Sequence, residues 1–248
     1  MTDEEIIKKL RIGPKDRVLD IGGSMRQHDL IKVDTLVDLI RPEEAPYGAS
    51  KLKAKNFVKC DITREKLPFK DKTFDVCLCT HTLEDLPNPF FLIEEISRVA
   101  RRGIIITPSM GKDMVFGHLD FTNWLTGARR QPGEAHHKWF FIKNKKGIML
   151  IPKIYPILYT GSFQLTDWSG ESEMIYVWKN NINYEILQSL SMHNVIDFYT
   201  KFLNDNKKHI KKGGVLIYLD NPYDLIKALA KKLFRIGAGY KYRSWYRR

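Results

Sequence analysis

The stretch "RVLDIGGSMRQHDLIKVDTLVDLI", residues 17–40, combines a buried strand, a glycine turn and a second apolar strand. A dinucleotide-binding loop follows the pattern GxGxxG and directs the N-terminus of the next helix at a pyrophosphate. Here only Gly22 and Gly23 are present, and eleven residues separate Gly23 from Thr35. Because a full crossover helix does not fit into that length, we expect a shortened first crossover helix and a ligand that needs no anion site.

Short β-branched runs along the first half predict an α/β fold with a mostly parallel sheet. After the two strands of the opening stretch, further buried strands are expected at residues 56–62, 76–80 and 104–107. Thr2 and Glu5 have the spacing of a capping box, which predicts a short N-terminal helix. The clearest helix begins after Asn88 as N-cap and is expected to end at Gly103, because its apolar residues recur with helical spacing.

The second half of the chain has the pattern of antiparallel elements. Apolar runs flank the turn at residues 144–147, and a similar pair flanks Asn180 and Asn181, so each pair predicts a hairpin. We find no internal repeat or low-complexity linker. We therefore expect a single domain over residues 1–248 with insertions after the fifth strand. Its parts are a cofactor-binding half, 1–110, acceptor-binding insertions with a terminal hairpin, 111–220, and a basic amphipathic segment, 221–248.

The composition favours a globular protein with a basic excess. The chain has 248 residues, of which 43% are hydrophobic, and 41 Lys and Arg against 29 Asp and Glu give a net charge of +12. From Lys227 onward there are eight Lys or Arg and no acid, with aromatic residues between them. Such a segment suits an anionic membrane surface or stacked nucleic acid, although an amphipathic helix most often packs on its own domain.

Three cysteines lie in apolar runs, and no window is long and apolar enough for a membrane span. Cys60, Cys77 and Cys79 are therefore expected to be reduced core residues. We expect a cytoplasmic location, with peripheral attachment to a membrane through the basic segment as a further expectation.

Carboxylates are predicted at the ends of three neighbouring strands. Asp20 ends the first strand, Asp38 follows 18 residues later on the second, and Asp61 ends the third. A single Asp beside a glycine is most often a turn or capping residue, but three in register favour a ligand site at the carboxyl edge of the sheet. S-adenosylmethionine fits this pattern, since it carries a sulfonium cation and ribose hydroxyls rather than a phosphate.

Three segments together carry a family resemblance. "VLDIGG", "CDITREKLPFKDKTFDVCLCTHTLEDLPNP" and "EEISRVARRGIIIT" resemble the class I S-adenosylmethionine-dependent methyltransferases of the type 11 group, over about residues 15–110. The resemblance implies a Rossmann-like fold and S-adenosylmethionine as the cofactor. It further implies that Asp20, Gly22 and Gly23 hold the methionine end, Asp38 the ribose, and Asp61 with the Ile62 amide the adenine, while Thr80 and His81 flank the methyl group.

The chain departs from the family pattern at two places. The third loop glycine and the first helix are missing, and Asp85 stands where the family has a histidine after the fourth strand. The shortened loop and the later "HHKW" also resemble a bacterial and viral subset linked to surface-polysaccharide assembly. This narrower resemblance implies a sugar hydroxyl of a glycan or glycolipid as the methyl acceptor, with O-methylation as the reaction.

His136 or His137 is predicted to be the general base that takes the proton of the acceptor hydroxyl, with His81 as the reserve. His118 and Asp120 lie upstream, but their spacing fits no compact metal motif, so we expect no metal site. Aromatic residues of the second half suit sugar faces and would equally suit a flat aromatic acceptor; these are Phe116, Phe121, Trp124, Trp139, Phe140 and Trp168.

Two alternatives stay open. A nucleic-acid methyltransferase, acting on RNA, is favoured by the basic tail, but "THTL" stands after the fourth strand where an NPPY-like tetrapeptide would favour that function. A noncatalytic binding protein with the methyltransferase fold is the second alternative. Binding of S-adenosylmethionine and the class of methylated acceptor distinguish the three hypotheses.

Overall fold

In the computed structural model, the largest sheet of the described chain has six strands. The structure describes residues 1–46, 50–117, 131–159, 163–188 and 191–212. His118, Asp120, Phe121 and Trp124 lie outside these residues, as does the basic segment 221–248. Among the described helices, none combines the length and the hydropathy needed to cross a bilayer.

The central sheet is mostly parallel, as predicted. Its strands are β1 (Val18–Ile21), β2 (Thr35–Asp38), β3 (Asn56–Lys59), β4 (Phe74–Thr80), β5 (Ala100–Pro108) and β11 (Glu173–Lys179). Their order is β11-β5-β4-β1-β2-β3, and β11 alone among them runs antiparallel, against β5. All four residues of β1 are buried, which accords with the continuous apolar strands of a parallel sheet covered on both faces. The predicted α/β class follows from this order.

Two α-helices accompany the first five strands, one before β1 and one between β4 and β5. Helix α1 (Asp3–Leu10) begins with the predicted capping box, in which Thr2 and Glu5 bond reciprocally. Helix α2 (Pro89–Val99) begins at Asn88, whose side chain accepts the amide of Phe91. Between β1 and β2, where every residue is described, the chain forms only a 3-10 turn, Gly23–Met25. The first crossover is therefore shortened, as the sequence predicts.

The predicted end of α2 at Gly103 is wrong. The helix ends at Val99, and Gly103 lies inside β5. A Cβ atom at this glycine would lie 2.2 Å from the carbonyl oxygen of Cys77 and 2.9 Å from the Trp178 ring. Gly103 therefore serves the close approach of β4 and of the Trp178 ring to β5, rather than the end of a helix.

The insertion after β5 builds a second layer with its own core. Its elements are α3 (Met110–Asp113), β6 (Phe116–Gly117), β7 (Gln131–Pro132), β8 (Trp139–Lys143), β9 (Ile148–Pro152), α4 (Tyr155–Leu158) and β10 (Leu165–Trp168). After β11 follow β12 (Tyr184–Ile186), α5 (Met192–Asp205) and β13 (Ile210–Lys212). The predicted hairpin around residues 144–147 is confirmed, because β8 and β9 pair antiparallel across it. Tyr199 of α5 is fully buried in this second core.

The second predicted hairpin, around Asn180, is wrong. Strand β11 joins the edge of the central sheet, and β12 pairs in parallel with β9 in the smaller sheet. Apart from a bridge between Lys179 and Asn181, the two runs do not pair with each other within the described chain. Each run finds a longer partner strand in a different layer, so the turn at Asn180, with its left-handed φ of 66°, connects two sheets.

The three cysteines agree with the sequence prediction. Cys60, Cys77 and Cys79 are buried free thiols, and burial raises the pKa of Cys77 and Cys79 well above its usual range. Their side chains belong to the apolar core between the sheet and α2. They therefore act as small apolar residues.

Candidate functional site

The glycine turn after β1 leaves no room for side chains. Gly22 has a left-handed φ of 76°, and its amide donates to the Val37 carbonyl across 2.9 Å. A Cβ atom would lie 2.4 Å from Thr82 Oγ1 at Gly22 and 2.0 Å from Asp20 Oδ2 at Gly23. The backbone thus packs against the Asp20 carboxylate on one side and the segment after β4 on the other.

Asp20 carries a buried carboxylate with an unused oxygen. Asp20 is only 1% exposed, and its Oδ1 has no hydrogen-bond partner among the described residues. The pKa of Asp20 is raised to about 6, mainly by burial; the His28 charge opposes this rise and the Asp38 charge adds to it. An unpaired carboxylate at the end of a parallel strand suits a cationic or hydrogen-bond-donating ligand.

The raised pKa of Asp20 predicts a pH-dependent stability. Its usual pKa is 3.8 and its folded pKa about 6, so folding tightens proton binding and stability falls as the pH rises through this window. Asp20→Asn should therefore be more stable than the wild type at pH 7, by up to about 3 kcal/mol, and about equally stable at about pH 4. Urea unfolding at both pH values measures the difference.

Asp34→Asn is the matched control for this prediction. Burial opposes ionisation of Asp34, but its hydrogen bonds to Lys55 and to the Val18 amide outweigh burial and lower its pKa. Its removal should therefore cost stability at pH 7, the opposite sign to Asp20→Asn. A gain for Asp20→Asn that is equally large at both pH values would contradict the assigned cause.

Asp38 organises the short crossover that follows β1. Its Oδ2 accepts the Ser24 amide at 3.0 Å, and its Oδ1 accepts the Leu39 amide at 2.6 Å and the Ile40 amide at 3.5 Å. A carboxylate has about four acceptor positions, so these bonds occupy most of them. The predicted bidentate contact to ribose hydroxyls therefore requires the long Ile40 bond to give way.

Asp61 and the Ile62 amide already have local partners. Asp61 accepts the amide and the hydroxyl of Thr63, at 3.1 and 2.6 Å, and these bonds hold the pKa of Asp61 below its usual value. The Ile62 amide donates to the carbonyl of Cys60 at 3.1 Å. The amide predicted to contact adenine is thus part of a tight turn, and it must exchange this partner to bind a ligand.

A cavity of about 320 Å³ lies beside the carboxyl ends of β4 and β5. This volume is within the range of small-molecule sites. Thr80 and His81 line it, whereas the other predicted cofactor residues lie outside it along the same edge. Asp20 lines a narrow adjoining pocket that shares Gln27 and His28 with the larger cavity. Gln27 and His28 thus line both spaces, and sequence patterns did not single them out.

The loop at residues 26–30 is attached to the start of α1. Asp3 accepts the His28 ring at 2.6 Å and the amides of Asp29 and Leu30 at 2.7 and 2.8 Å. Four acceptor positions on one carboxylate suffice for these three bonds. These bonds hold the loop, whose residues line the cavity, to a residue 25 positions before His28 in the chain.

His81 stands between two carboxylates at the cavity wall. Its φ of 52° is left-handed, and its amide donates to the Ile106 carbonyl. Its Nδ1 lies 3.4 Å from Glu84 Oε1, and its Nε2 lies 3.2 Å from Glu173 Oε1. These carboxylates, Glu84 first, raise the pKa of His81 above its usual value although burial opposes this. His81 is therefore held between two carboxylates, and its role as the reserve base stays a prediction.

Five residues form what we name the histidine cluster: Asp85, Asp113, His136, His137 and Lys153. His137 is buried, and its Nδ1 lies 3.0 Å from Asp113 Oδ1, while Lys153 Nζ lies 2.9 Å from Asp113 Oδ2. Burial disfavours a charged His137 ring, but the bond to Asp113 outweighs it and raises the pKa of His137. The Nε2 atoms of His136 and His137 lie 3.6 and 3.7 Å from Asp85 Oδ1.

Residues 80–85, at the end of β4, contact both the glycine turn and the histidine cluster. Thr82 packs on Gly22 and donates to the Ile21 carbonyl, and Asp85 faces the two histidines. The glycine turn and the histidine cluster are thus only a few residues apart along this segment. Asp113 and Lys153 were missed at the level of sequence, because each stands alone in an apolar context without a recognisable spacing.

The predicted aromatic surfaces are mostly occupied by packing. Phe116 and Phe140 are buried in the core of the insertion. The half-buried Trp139 ring donates to the Leu86 carbonyl at 3.0 Å, and Trp168 stacks on Phe202. The expectation that Phe116 and Phe140 offer flat surfaces to a sugar is therefore wrong.

Comparison with known proteins concerns the first half of the chain. Residues 26–107 match the family described as a methyltransferase domain, so the match begins just after the glycine turn. An uncharacterized protein of Methanocaldococcus jannaschii is 34% identical over 126 residues, which cover 47% of this chain and 58% of that protein. The chain thus spans little more than half the length of this curated relative.

Two solved structures from other organisms are also similar. A SAM-dependent methyltransferase from Methanosarcina mazei is 19% identical with a TM-score of 0.35, covering 58% of this chain and 74% of that chain. A SAM-dependent methyltransferase from Aquifex aeolicus is 26% identical with a TM-score of 0.32, covering 43% and 63% of the two chains. The family match and the strand order confirm the predicted class I methyltransferase resemblance, and S-adenosylmethionine is the cofactor that this family implies.

Proposed function

We propose that this chain transfers a methyl group from S-adenosylmethionine to an oxygen, and that the acceptor is a sugar hydroxyl of a glycan or glycolipid. The observation that carries the proposal is the placement of residues 80–85 between the glycine turn and the histidine cluster. Donor-binding groups and proton-accepting groups are then adjacent, as a transfer between two bound molecules requires.

The residues near the glycine turn fit the donor. Asp20 offers an unused buried oxygen to the ammonium of the methionine end, and the glycines let the backbone approach closely. The bound donor supplies an electrophilic methyl group for in-line displacement. Thr80 and His81 line the cavity where that group would lie, and Asp38 and Asp61 would hold the ribose and adenine.

The histidine cluster would prepare the acceptor. A sugar hydroxyl is a weak nucleophile, so removal or stabilisation of its proton during transfer accelerates the reaction. Asp113 fixes the ring of His137, and Lys153 fixes Asp113. His137, with the exposed His136 beside it, would therefore act on the hydroxyl proton at a defined position.

The proposed function is tested by methyl transfer from radiolabelled S-adenosylmethionine to separated glycan, lipid and RNA fractions. Label in the glycan or glycolipid fraction supports the proposal. Salt-sensitive labelling of RNA would replace it with the nucleic-acid alternative. Absence of S-adenosylmethionine binding at millimolar concentration, measured by calorimetry, would favour the noncatalytic alternative.

Asp38→Ala should weaken donor binding by about 3 kcal/mol, roughly a hundredfold, because charge-assisted bonds to the ribose would be lost. Calorimetry with S-adenosylmethionine measures the change. Glu43→Ala is a matched control, since Glu43 also accepts a backbone amide, that of Leu52, in the next crossover. Unchanged affinity in a folded Asp38→Ala variant would show that the donor lies elsewhere.

Several expectations about the whole chain stay predictions. The division of residues 1–248 into one domain with two halves is one of them, and the cytoplasmic location is another. Docking of the basic segment 221–248 on an anionic membrane concerns residues outside the described part of the chain. Nucleic acid as a partner is less favoured than a glycan, and the oligomeric state stays open.

A further inference from the structure

We propose that Asp85, His136 and His137 bind a divalent transition-metal ion of the Zn²⁺ class. One ligand atom from each of these residues lies within 4.8 Å of the others. The sequence predicted no metal site, because the paired histidines have no ligand at a familiar spacing and Asp85 lies 51 residues before His136. The fold brings Asp85 to them through the turn after β4.

The Nε2 atom of His137 and the Oδ1 atom of Asp85 face each other. Asp113 is a carboxylate that already pairs with Lys153, so the Nδ1 of His137 carries the proton that it accepts. In the neutral ring, the Nε2 of His137 presents a lone pair toward Asp85 Oδ1, 3.7 Å away, a distance too long for a hydrogen bond. Lone pairs that face one another repel unless a cation lies between them.

The Asp85 carboxylate has an oxygen without a hydrogen-bond donor among the described residues. Its Oδ1 is buried and, over the described ranges of the chain, accepts no hydrogen bond. The preceding residue, Glu84, is 1% exposed, and neither of its carboxylate oxygens accepts a hydrogen bond within the part of the chain that the structure describes, although His81 Nδ1 lies 3.4 Å from its Oε1. The half-buried Asp85 carboxylate stands beside the buried Glu84 carboxylate, and a bound cation would balance their negative charge.

The support of the ligands resembles that of a metal centre. A metal-binding histidine usually donates its second ring nitrogen to a carboxylate, which fixes the tautomer and orients the ring. The bond from His137 Nδ1 to Asp113 does this at 3.0 Å. Lys153 in turn holds Asp113 at 2.9 Å, so the ring of His137 is fixed by a buried ion pair.

The ligand set selects the kind of ion. Two imidazole nitrogens with one carboxylate suit Zn²⁺, Fe²⁺ or a similar ion, whereas Mg²⁺ and Ca²⁺ prefer oxygen alone. Around a tetrahedral ion with bonds of about 2.1 Å, ligand atoms lie roughly 3.4 Å apart. The two Nε2 atoms lie 3.6 and 3.7 Å from Asp85 Oδ1, and the His136 side chain, 62% exposed, is free to move closer.

Three protein ligands leave at least one coordination position open. If the proposed function holds, the acceptor hydroxyl would occupy it, and the ion would lower the pKa of that hydroxyl, so that its proton would pass to solvent and not to His137. Only this assignment of the open position rests on the proposed function. Binding of the ion itself does not depend on the acceptor.

Co²⁺ is the probe for the test, because its visible absorption reports coordination by nitrogen and oxygen. The full chain, freed of metal with a chelator, is titrated with CoCl₂. We expect one Co²⁺ per chain, displaced by Zn²⁺, and at least about a tenfold weaker affinity for His136→Ala, Asp85→Asn and Asp113→Asn. His136 is exposed, so His136→Ala should fold normally.

His193→Ala is the matched control, since His193 is an exposed histidine on α5, outside the cluster. It should bind Co²⁺ as the wild type does. No Co²⁺ binding up to millimolar concentration, or equal affinity of wild type and His136→Ala, would overturn the proposal. Stoichiometric Co²⁺ binding without methyl transfer would instead uphold the metal site and reject the proposed function.

Discussion

The His137→Ala variant should transfer methyl groups about 10² to 10⁴ times more slowly than the wild type, with nearly unchanged affinity for S-adenosylmethionine. The ring of His137 is the most firmly positioned proton-accepting or cation-binding group of the cluster, because Asp113 bonds its Nδ1. The residues proposed to bind the donor lie around the glycine turn, and in the described part of the chain no hydrogen bond joins them to the His137 ring. Transfer of radiolabel to the accepting fraction and calorimetry with the donor measure the two quantities separately.

Two further variants make this result interpretable. His137→Gln keeps most of the buried volume and should also be slow, which separates loss of chemistry from a cavity in the core. His193→Ala, on the exposed surface of α5, should retain full turnover. If His137→Ala and His136→Ala both fold and transfer at near-normal rates, another group activates the acceptor.

Lys153→Met should destabilise the protein by about 3 to 5 kcal/mol, because it breaks a buried ion pair and leaves one charge without its partner. The side chain of Lys153 is 0% exposed and that of Asp113 is 4% exposed, and their charged atoms are 2.9 Å apart. Burial lowers the pKa of Lys153, although the Asp113 charge counteracts this. Urea unfolding at neutral pH measures the loss.

The exposed pair of Lys201 and Asp205 is the matched control. Their side chains are 74% and 59% exposed at a similar separation of 2.8 Å, so Lys201→Met should change the stability by at most about 0.5 kcal/mol. Removal of both buried charges, by Lys153→Met with Asp113→Asn, should recover part of the loss. Equal losses for the buried and the exposed lysine variants would contradict the ion-pair assignment.

Local sequence determined most helices and strands of residues 1–110. Three local signals act within a few residues, so the sequence alone predicts their effects. They are the capping pair of Thr2 and Glu5, the Asn88 cap and the glycine pair. The eleven residues after Gly23 are too few for a crossover helix, and the structure accordingly has only a 3-10 turn there. The continuous apolar character of β1, β4 and β5 accords with their place in a parallel sheet.

Only the tertiary structure decided the partners of residues that are distant in sequence. The runs around Asn180 look like a hairpin, yet β11 and β12 separate because each gains a longer partner in a different sheet. His137 meets Asp113 and Asp85 across 24 and 52 residues, and no periodicity encodes such meetings. The burial that raises the pKa of Asp20 likewise comes from packing of several segments, and local sequence carries no signal of it.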